Sequence, residues 1–355
     1  MNNFYRYLAA VLLVAMMAGF SSETLAGNKD RAGQAGAAEL LINPWARSSG
    51  WGNANVSGIK GLEGMFTNVA GIAFTQRTEL IFVNTDWLSG ADINLMSFGF
   101  TQKVGEAGVF GMSVMSMNFG EIEITTVDLP EGGVGTFSPN LLNIGIAYAK
   151  AFSNSIYGGL NFKIISESIS DASAQGVAID AGIQYITGEQ ENIKFGISLK
   201  NVGPKMKFTG DGFSLRTVIP GQDDRFTMTQ RSSAFELPAQ LNIGAGYDFL
   251  FERSRFTLAG NFTSNSFTKD QFTLGGEYSF RDYVVLRAGY TYEDGITEDI
   301  ESTERSNALN GPSAGFSIQV PLNKEREGSV FSVDYSYRHT DHFNGIHSIG
   351  GRFNF

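Results

Sequence analysis

The 355-residue chain contains no cysteine. This absence excludes disulfide bonds, thiol catalysis, cysteine-ligated zinc and the N-terminal cysteine of a lipoprotein. Charged residues are also scarce, at 17% compared with about 25% in an average globular protein. The formal net charge of −10 is the opposite of the basic surface that nucleic-acid binding requires. Nucleic-acid-binding proteins and thiol enzymes are therefore excluded.

Long apolar runs are missing after residue 26. The only such run, Leu8–Phe20, follows Arg6 and precedes small residues that end at Ala26, which predicts a secretory signal peptide over residues 1–26. It is shorter than the roughly 20 residues that a membrane-spanning helix needs. A mature chain that stays in a membrane without such helices must cross it as a closed β-barrel.

Glycine and phenylalanine are abundant instead, with 43 and 29 residues. The last eight residues, Ser348–Phe355, alternate between two faces with the two-residue period of a strand. Ser348, Gly350, Phe353 and Phe355 carry the pattern that resembles the C-terminal signal read by the β-barrel assembly machinery of bacterial outer membranes. An edge strand of a soluble protein can show the same pattern, so the rest of the chain must decide.

From residue 79 onward, strand-like runs of about 10 to 13 residues follow one another, a length that suits tilted membrane-crossing strands. Their even number, fourteen, is compatible with closure of a barrel. The predicted strands are Glu79–Leu88, Ala91–Thr101, Gly108–Phe119, Asn140–Lys150, Ser155–Ser166, Gln175–Thr187, Glu191–Lys200, Pro238–Leu250, Arg253–Ser264, Asp270–Phe280, Asp282–Glu293, Ala308–Val320, Gly328–His339 and Asn344–Phe355.

Side-chain alternation within these runs predicts an apolar outer face and a polar, glycine-rich inner face. In the run that starts at Pro238, Leu241 and Ile243 alternate with Gln240 and Asn242. A soluble β-sandwich also alternates, but its loops have no particular order. Here the long connections all fall at one end of the predicted barrel, as in outer-membrane proteins. The first three strands alternate poorly, and we expect them to be buried on both faces.

The sequence therefore predicts an all-β fold, a transmembrane antiparallel β-barrel of about 14 strands in the outer membrane of a Gram-negative cell, surrounded by lipid. The predicted organisation is a signal peptide over 1–26, an N-terminal plug or periplasmic segment over 27–78, and the barrel over 79–355. Glycine and proline interrupt 27–78 too often for regular elements. Trp45 and Trp51 are interpreted there as core anchors rather than as stacking platforms for a ligand.

Two N-terminal motifs and the last strand resemble the PorV/PorQ family of Bacteroidetes outer-membrane proteins. The run Glu39–Gly52 contains Ala-Arg-Ser-Ser-Gly-Trp-Gly, and Asn68–Ala73 is similar to that family's Asn-Pro-Ala-Gly-Leu-Ala, with Val69 in place of proline. The resemblance implies a FadL-like barrel of the type IX secretion system. A PorV-type protein would bind the C-terminal domain of secreted cargo and pass it to the surface-attachment machinery, whereas a PorQ-type protein would hold another surface component.

The predicted outer loop 201–237 is the candidate partner-binding surface, because it carries more apolar side chains than a solvated loop needs. The alternative is that these side chains pack on each other or cap the barrel. An uptake channel for hydrophobic compounds is the alternative function, with a lipid-like ligand in the lumen and a gap in the wall. The candidate partner-binding residues are Phe208, Phe213, Leu215, Phe226 and Met228.

Other chemistry is weakly indicated, so we predict no enzymatic activity, no cofactor and no metal. The acidic stretch Asp294–Arg305 lacks an ordered calcium-ligand pattern and is interpreted as a solvated loop. The three histidines, His339, His342 and His347, are not aligned for metal binding on a strand end. Charges of both signs on inward positions predict a network of ion pairs that fills the barrel rather than a selective pore.

Overall fold

The computed structural model describes residues 27, 29–218, 224–281, 283–298, 307–322, 329–341 and 343–355. Fourteen antiparallel strands form a closed barrel, so the predicted fold class is confirmed. We number these strands β1 to β14 in chain order. They are Thr78–Trp87, Ile93–Val104, Gly108–Asn118, Asn140–Ala151, Ile156–Ile169, Ala172–Thr187, Ile193–Val202, Gln240–Leu250, Ser254–Asn265, Gln271–Phe280, Val284–Glu293, Gly311–Pro321, Val330–Arg338 and Ile346–Asn354. The predicted signal peptide and the predicted strand starts at Asp282 and Gly328 lie outside the described residues.

The barrel closes where β14 pairs with β1. The pairing runs from Glu79 opposite Asn354 to Asp86 opposite His347, and each of the other strands pairs with its neighbours in sequence. Inside the barrel, the Thr85 hydroxyl donates a hydrogen bond to Ser348 Oγ at 2.8 Å. Because every strand has two partners, no row of unpaired backbone groups is left at a sheet edge.

The two faces of the barrel wall differ as predicted. On β8 the side chains of Leu241 and Ile243 are exposed on the outside, whereas Asn242 and Asp248 are buried toward the lumen. On β14 Ile349 and Phe353 face outward and Arg352 faces inward. A continuous apolar exterior is what a bilayer requires of a membrane barrel.

The prediction that β1, β2 and β3 are buried on both faces is wrong. Phe82 and Phe98 are 53% and 50% exposed on the outer face. The inward side chains Ile81 and Val83 are buried against Trp45 and neighbouring residues of the N-terminal segment. These strands alternate poorly because both of their faces meet apolar surroundings, lipid on one side and protein on the other.

The N-terminal segment, residues 29–77, is a plug that occupies the lumen. It consists of short elements: helices α1 (Ala46–Ser49) and α2 (Gly64–Thr67), and 3-10 helices at Lys29–Arg31, Ala38–Leu41, Ala54–Ser57 and Val69–Phe74. Trp45 and Trp51 are 1% and 5% exposed, so their predicted role as core anchors is confirmed. Within the described part of the chain, no helix has the length and apolarity needed to cross a membrane.

Inward-facing glycines let the plug backbone approach the wall. A Cβ atom at Gly196 on β7 would lie 2.5 Å from the carbonyl oxygen of Val56, and one at Gly275 on β10 would lie 2.8 Å from Ala54 Cβ. Real Cβ atoms do not make such contacts, so these positions accept only glycine while the plug is in place. The glycine-rich inner face that the sequence predicts is therefore a seat for the plug.

The two ends of the barrel carry different connections. One end has only short connections, such as 105–107, 251–253 and 281–283, whereas the other has the long loops 119–139, 203–239 and 294–310. We call the long-loop end the outer end, following the asymmetry of outer-membrane barrels. Two of its loops form small hairpins, Ile122–Glu123 with Thr136–Phe137 and Ser214–Val218 with Arg225–Thr229; the second follows a 3-10 helix at Asp211–Phe213.

Candidate functional site

Buried charges on the lumen wall form the predicted network. Glu277 on β10 accepts hydrogen bonds from Arg255 Nη2 at 2.9 Å and from Arg287 Nε at 2.7 Å. Arg287 also donates to Ser317 Oγ at 2.6 Å, and the Ser317 hydroxyl donates to Asp334. The remaining ion pairs on the wall are Lys163–Asp180, Lys194–Asp248 and Arg352–Asp334, with N–O distances of 2.7, 2.5 and 3.3 Å.

The second N-terminal motif anchors the plug to the wall. Asn68 caps the 3-10 helix Val69–Phe74 by accepting from the Ala70 N–H at 3.2 Å. Its Nδ2 donates to Ile183 O on β6 at 3.0 Å and to Val56 O of the plug at 3.0 Å. The Asn68 side chain therefore joins three backbone segments inside the barrel. This structural role accounts for an asparagine at this position, and no contact with another protein is needed to explain it.

The first N-terminal motif also lies inside the barrel. Arg47 donates to Lys60 O at 2.6 Å and pairs with Glu63 at 3.5 Å. Glu63 accepts a second hydrogen bond from the Ser48 N–H at 2.8 Å. Both motifs that support the family resemblance are thus internal to the fold, and neither forms part of an exposed binding surface.

A cavity of about 590 Å³ lies in the lumen between the plug and the outer ends of the strands. We call this cavity the outer vestibule. Its polar wall is formed by neutral side chains of β8, β9 and β10, and its apolar wall comes from β1, β3 and β4 and the residues that follow β3. The polar wall includes Gln240, Asn242, Asn261, Thr263, Gln271 and Thr273, and the apolar wall includes Trp87, Met117, Phe119 and Leu141.

Two carboxylates line the vestibule without counter-ions. Glu39 of the plug and Glu167 of β5 are 3% and 6% exposed, and the Oε1 atom of each has no hydrogen-bond partner. Burial, followed by repulsion from the Glu167 carboxylate, raises the pKa of Glu39 to about 7. Glu39 therefore changes charge in the physiological pH range.

Replacing Glu39 with glutamine should stabilise the protein at high pH. The pKa of Glu39 is higher in the folded chain, about 7, than its ordinary value of 4.5, so wild-type stability falls as pH rises through this interval. We expect E39Q to unfold with a free energy up to about 3 kcal/mol higher than wild type at pH 8, and nearly the same at pH 4. Urea unfolding in lipid vesicles at both pH values measures this difference, and a gain that is equal at both would contradict it.

The structure divides the candidate partner-binding residues into two groups. Phe208 packs on Phe235 with ring centroids 5.7 Å apart and joins a cluster around Met206 and Leu237, so it stabilises the loop itself. Phe213 is half-buried. Leu215, Phe226 and Met228 are exposed on the loop hairpin.

The loop hairpin has one apolar and one basic face. Leu215 lies opposite Met228, and Thr217 lies opposite Phe226. Because residues two apart share a face of a strand, Leu215, Phe226 and Met228 project from the same side. Arg216 and Arg225 project from the other side. The three apolar residues form what we call the hairpin patch.

The predicted alternatives for metal binding have no support in the described residues. His339 lies 3.7 Å from Asp341, and His347 Nδ1 is hydrogen-bonded to the Tyr335 hydroxyl at 2.8 Å, while His342 lies outside the described residues. Across the described ranges no group of three His, Asp or Glu side chains is placed to hold a metal ion. In the acidic stretch, Asp294 pairs with Lys269 at 3.4 Å, and residues 299–306 are outside the described ranges.

Glu39, Glu167 and the neutral polar wall were not predicted as a site from the sequence. The polar wall had a signal, because Asn242, Asn261 and Thr263 stand at inward positions near the outer strand ends. No pattern in the sequence indicated the pair of carboxylates. Glu39 and Glu167 are far apart in sequence, and only the position of the plug brings them together.

Solved structures similar to this one include FadL-like barrels. They include the monoaromatic hydrocarbon channel CymD (TM-score 0.53, 12% identity, 89% of this chain and 98% of that one) and the toluene transporter TodX of Pseudomonas putida (TM-score 0.51, 12%, 88% and 97%). A FadL homologue of Pseudomonas aeruginosa is also similar (TM-score 0.52, 12%, 88% and 99%). At these identities the likeness shows the fold, and it confirms the FadL-like barrel.

No curated protein has a sequence that matches this chain. A family model does match residues 131–353, and it describes the type IX secretion system membrane protein PorP/SprF. The matched range confirms the type IX secretion system and the outer-membrane location. It does not confirm PorV/PorQ, whose N-terminal motifs at 39–52 and 68–73 lie outside it. The chain belongs to the PorP/SprF family of type IX secretion system membrane proteins.

Proposed function

We propose that this protein is a non-enzymatic component of the type IX secretion system that binds secreted cargo at the outer face of the membrane. The observation that carries the proposal is the hairpin patch. Leu215 and Met228 are 46% and 52% exposed on a loop at the outer end of the barrel. A folded loop does not need to expose apolar side chains on one face, and such patches are typical of protein-binding surfaces.

The interior of the barrel supports a docking role over an uptake channel. The plug is held in the lumen by hydrogen bonds to the wall, as at Asn68. Each barrel strand is paired with both of its neighbours, although residues 172–178 of β6 extend beyond its pairing with β7 and that ladder is irregular between Ile179 and Ala181. The amides and hydroxyls of the outer vestibule suit polar ligands rather than hydrocarbons. The hydrocarbon-transporting channels share the fold with this chain, and one wall of the outer vestibule is apolar, so the plug and the polar wall are what favour docking over uptake.

Serine substitutions at Leu215, Phe226 and Met228 should reduce partner capture at least tenfold. The triple variant removes most of the apolar area that a partner would cover, and central apolar residues carry most of the free energy of protein binding. The measurement is a pull-down from native outer membranes in mild detergent, with bound proteins identified and quantified by mass spectrometry. Enrichment of cargo C-terminal domains would support cargo binding, whereas enrichment of one non-cargo surface protein would favour the PorQ-like role.

The matched control alters the opposite face of the same hairpin. Ser214→Ala, Val218→Ser and Thr227→Ala together change exposed residues without altering charge. We expect this variant to capture partners as wild type does. Equal loss in both variants would mean that hairpin folding, rather than the patch, governs capture. Wild-type capture by the patch variant would contradict the proposal.

A further inference from the structure

We propose that the outer vestibule binds a cationic side chain, a lysine or an arginine, presented by a peptide segment of a protein at the outer face, with Glu39 and Glu167 as its counter-ions. This inference concerns a different surface from the hairpin patch. It does not depend on the partner being secreted cargo, and it can be tested on the purified protein alone.

Charge compensation inside the barrel is the first argument. Two other buried carboxylates show how charge is compensated here: Asp248 has Lys194 at 2.5 Å, and Glu79 accepts from the Leu62 N–H at 2.7 Å. Glu167 receives a backbone hydrogen bond from Ala37, but a hydrogen bond from a neutral amide does not balance its charge. Among the described residues, no cation lies within ion-pair distance of Glu39 or Glu167. An uncompensated buried charge is costly, and two adjacent ones are more so. Among the described residues this pair of carboxylates is therefore open to an external cation.

The cations nearest to Glu39 and Glu167 already interact with other side chains. Lys163, which lines a smaller cavity together with Glu39, is bound to Asp180 and Asn201, each at 2.7 Å. Lys200 lies over the Phe66 ring at 3.5 Å.

Arg338, on the far side of the vestibule, donates to Leu309 O at 3.2 Å. Among the described residues, the two cations that line the vestibule, Lys200 and Arg338, therefore do not pair with either carboxylate. Glu39, Glu167 and Asn261 all line the cavity, and each also has a buried side-chain oxygen without a hydrogen-bond partner.

The shape and lining of the vestibule suit a side chain that arrives with part of its backbone. Its volume of about 590 Å³ is within the range of ligand pockets, about 300–1,000 Å³. The neutral amides of Gln240 and Asn242 can hydrogen-bond a peptide backbone. Trp87 and Phe119 offer an apolar surface to the aliphatic stem of lysine or arginine. Calcium fits less well, because no group of three His, Asp or Glu side chains in the described residues is placed to hold a metal ion.

Isosteric peptides test the inference directly. The full-length protein in detergent micelles is titrated with a fluorescent pentapeptide that has a central arginine between glycine and serine residues, and with a peptide in which citrulline replaces the arginine. Citrulline keeps the shape and loses the charge. We expect the arginine peptide to bind at least tenfold more tightly by fluorescence anisotropy. Between pH 6 and pH 8 its affinity should rise about tenfold, because a proton on Glu39, with a pKa of about 7, competes with the cation.

Two variants test whether Glu39 and Glu167 cause the preference for the arginine peptide. The double variant E39Q/E167Q should bind both peptides equally, whereas Asp128→Asn, an exposed carboxylate in an outer loop, should keep the wild-type preference. Heat-modifiable migration on a gel establishes that each variant is folded. Equal binding of the two peptides by wild type, or an unchanged preference in E39Q/E167Q, would overturn the inference. Displacement of the arginine peptide by a neutral oligosaccharide at equal concentration would also overturn it and identify a polyol site.

Discussion

Replacing Glu277 with glutamine is expected to lower the free energy of unfolding by about 3–5 kcal/mol. The Glu277 carboxylate is buried and is shared by Arg255 and Arg287 on the two adjacent strands. Its neutralisation leaves two guanidinium groups facing each other inside the barrel, with one carboxylate fewer in the network. Because Arg287 is buried and cannot be hydrated by bulk water, the loss is much larger than for a surface ion pair, although Arg255 is partly exposed. Urea unfolding in lipid vesicles, monitored by tryptophan fluorescence, measures it.

The surface ion pair Arg31–Glu236 provides the matched control. Its N–O distance is 2.8 Å, similar to those of the Glu277 pairs, but both partners are solvent-exposed. Solvent screens the attraction there, so Glu236→Gln should leave the unfolding midpoint nearly unchanged. If the two variants lost similar stability, burial would not be the source of the effect, and the lumen network would have no special role in holding the barrel.

Replacing Gly275 with valine is expected to displace the plug, at a cost of about 3 kcal/mol or more. The new Cβ would lie 2.8 Å from Ala54 Cβ and 3.1 Å from the Trp51 carbonyl oxygen. The plug backbone cannot move away at this point alone, because it is tied to the wall at several other strands. Trp51 should then meet water, with a red-shifted fluorescence emission, and the segment 29–77 should become sensitive to protease added to micelles.

Gly276→Val on the same strand is the control for this prediction. Gly276 faces outward, and the nearest atoms to a Cβ there belong to Phe256 at 3.4 Å and to the Thr257 carbonyl at 3.9 Å, both on the neighbouring strand and not in the plug. The strand receives the same β-branched residue in both variants, so differences in strand propensity cancel. Protease sensitivity in G276V, or a protected plug in G275V, would contradict the view that the inner glycines form the seat of the plug.

Much of the architecture was predictable because the bilayer restricts the alternatives. The absence of apolar helices left only a barrel, and the period of two indicated which side chains face lipid. Predicted strands such as Asn140–Lys150 agree with the observed Asn140–Ala151. The prediction failed at β1 to β3, where Ile81 and Val83 follow the same apolar pattern as lipid-facing residues. A sequence pattern reports apolar surroundings and does not distinguish lipid from the packed plug.

The sites were less predictable than the fold. The loop predicted at 201–237 was identified from its composition, but composition did not separate Phe208, which packs inward, from Leu215 and Met228, which are exposed. That separation depends on hairpin register, which follows from pairing between strands. The family assignment rests on residues 131–353, and the motifs that suggested PorV/PorQ proved to be plug anchors.

The amino-acid sequence by itself determined the barrel, its strand number, its lipid-facing surface and the end that carries the long loops. These properties follow from local alternation and from the lengths of connections, both of which are written along the chain. Only the tertiary structure decided which lumen charges are paired and that Glu39 and Glu167 are not. The reason is physical: a charge is compensated by its neighbours in space, and the position of the plug inside the barrel sets those neighbours.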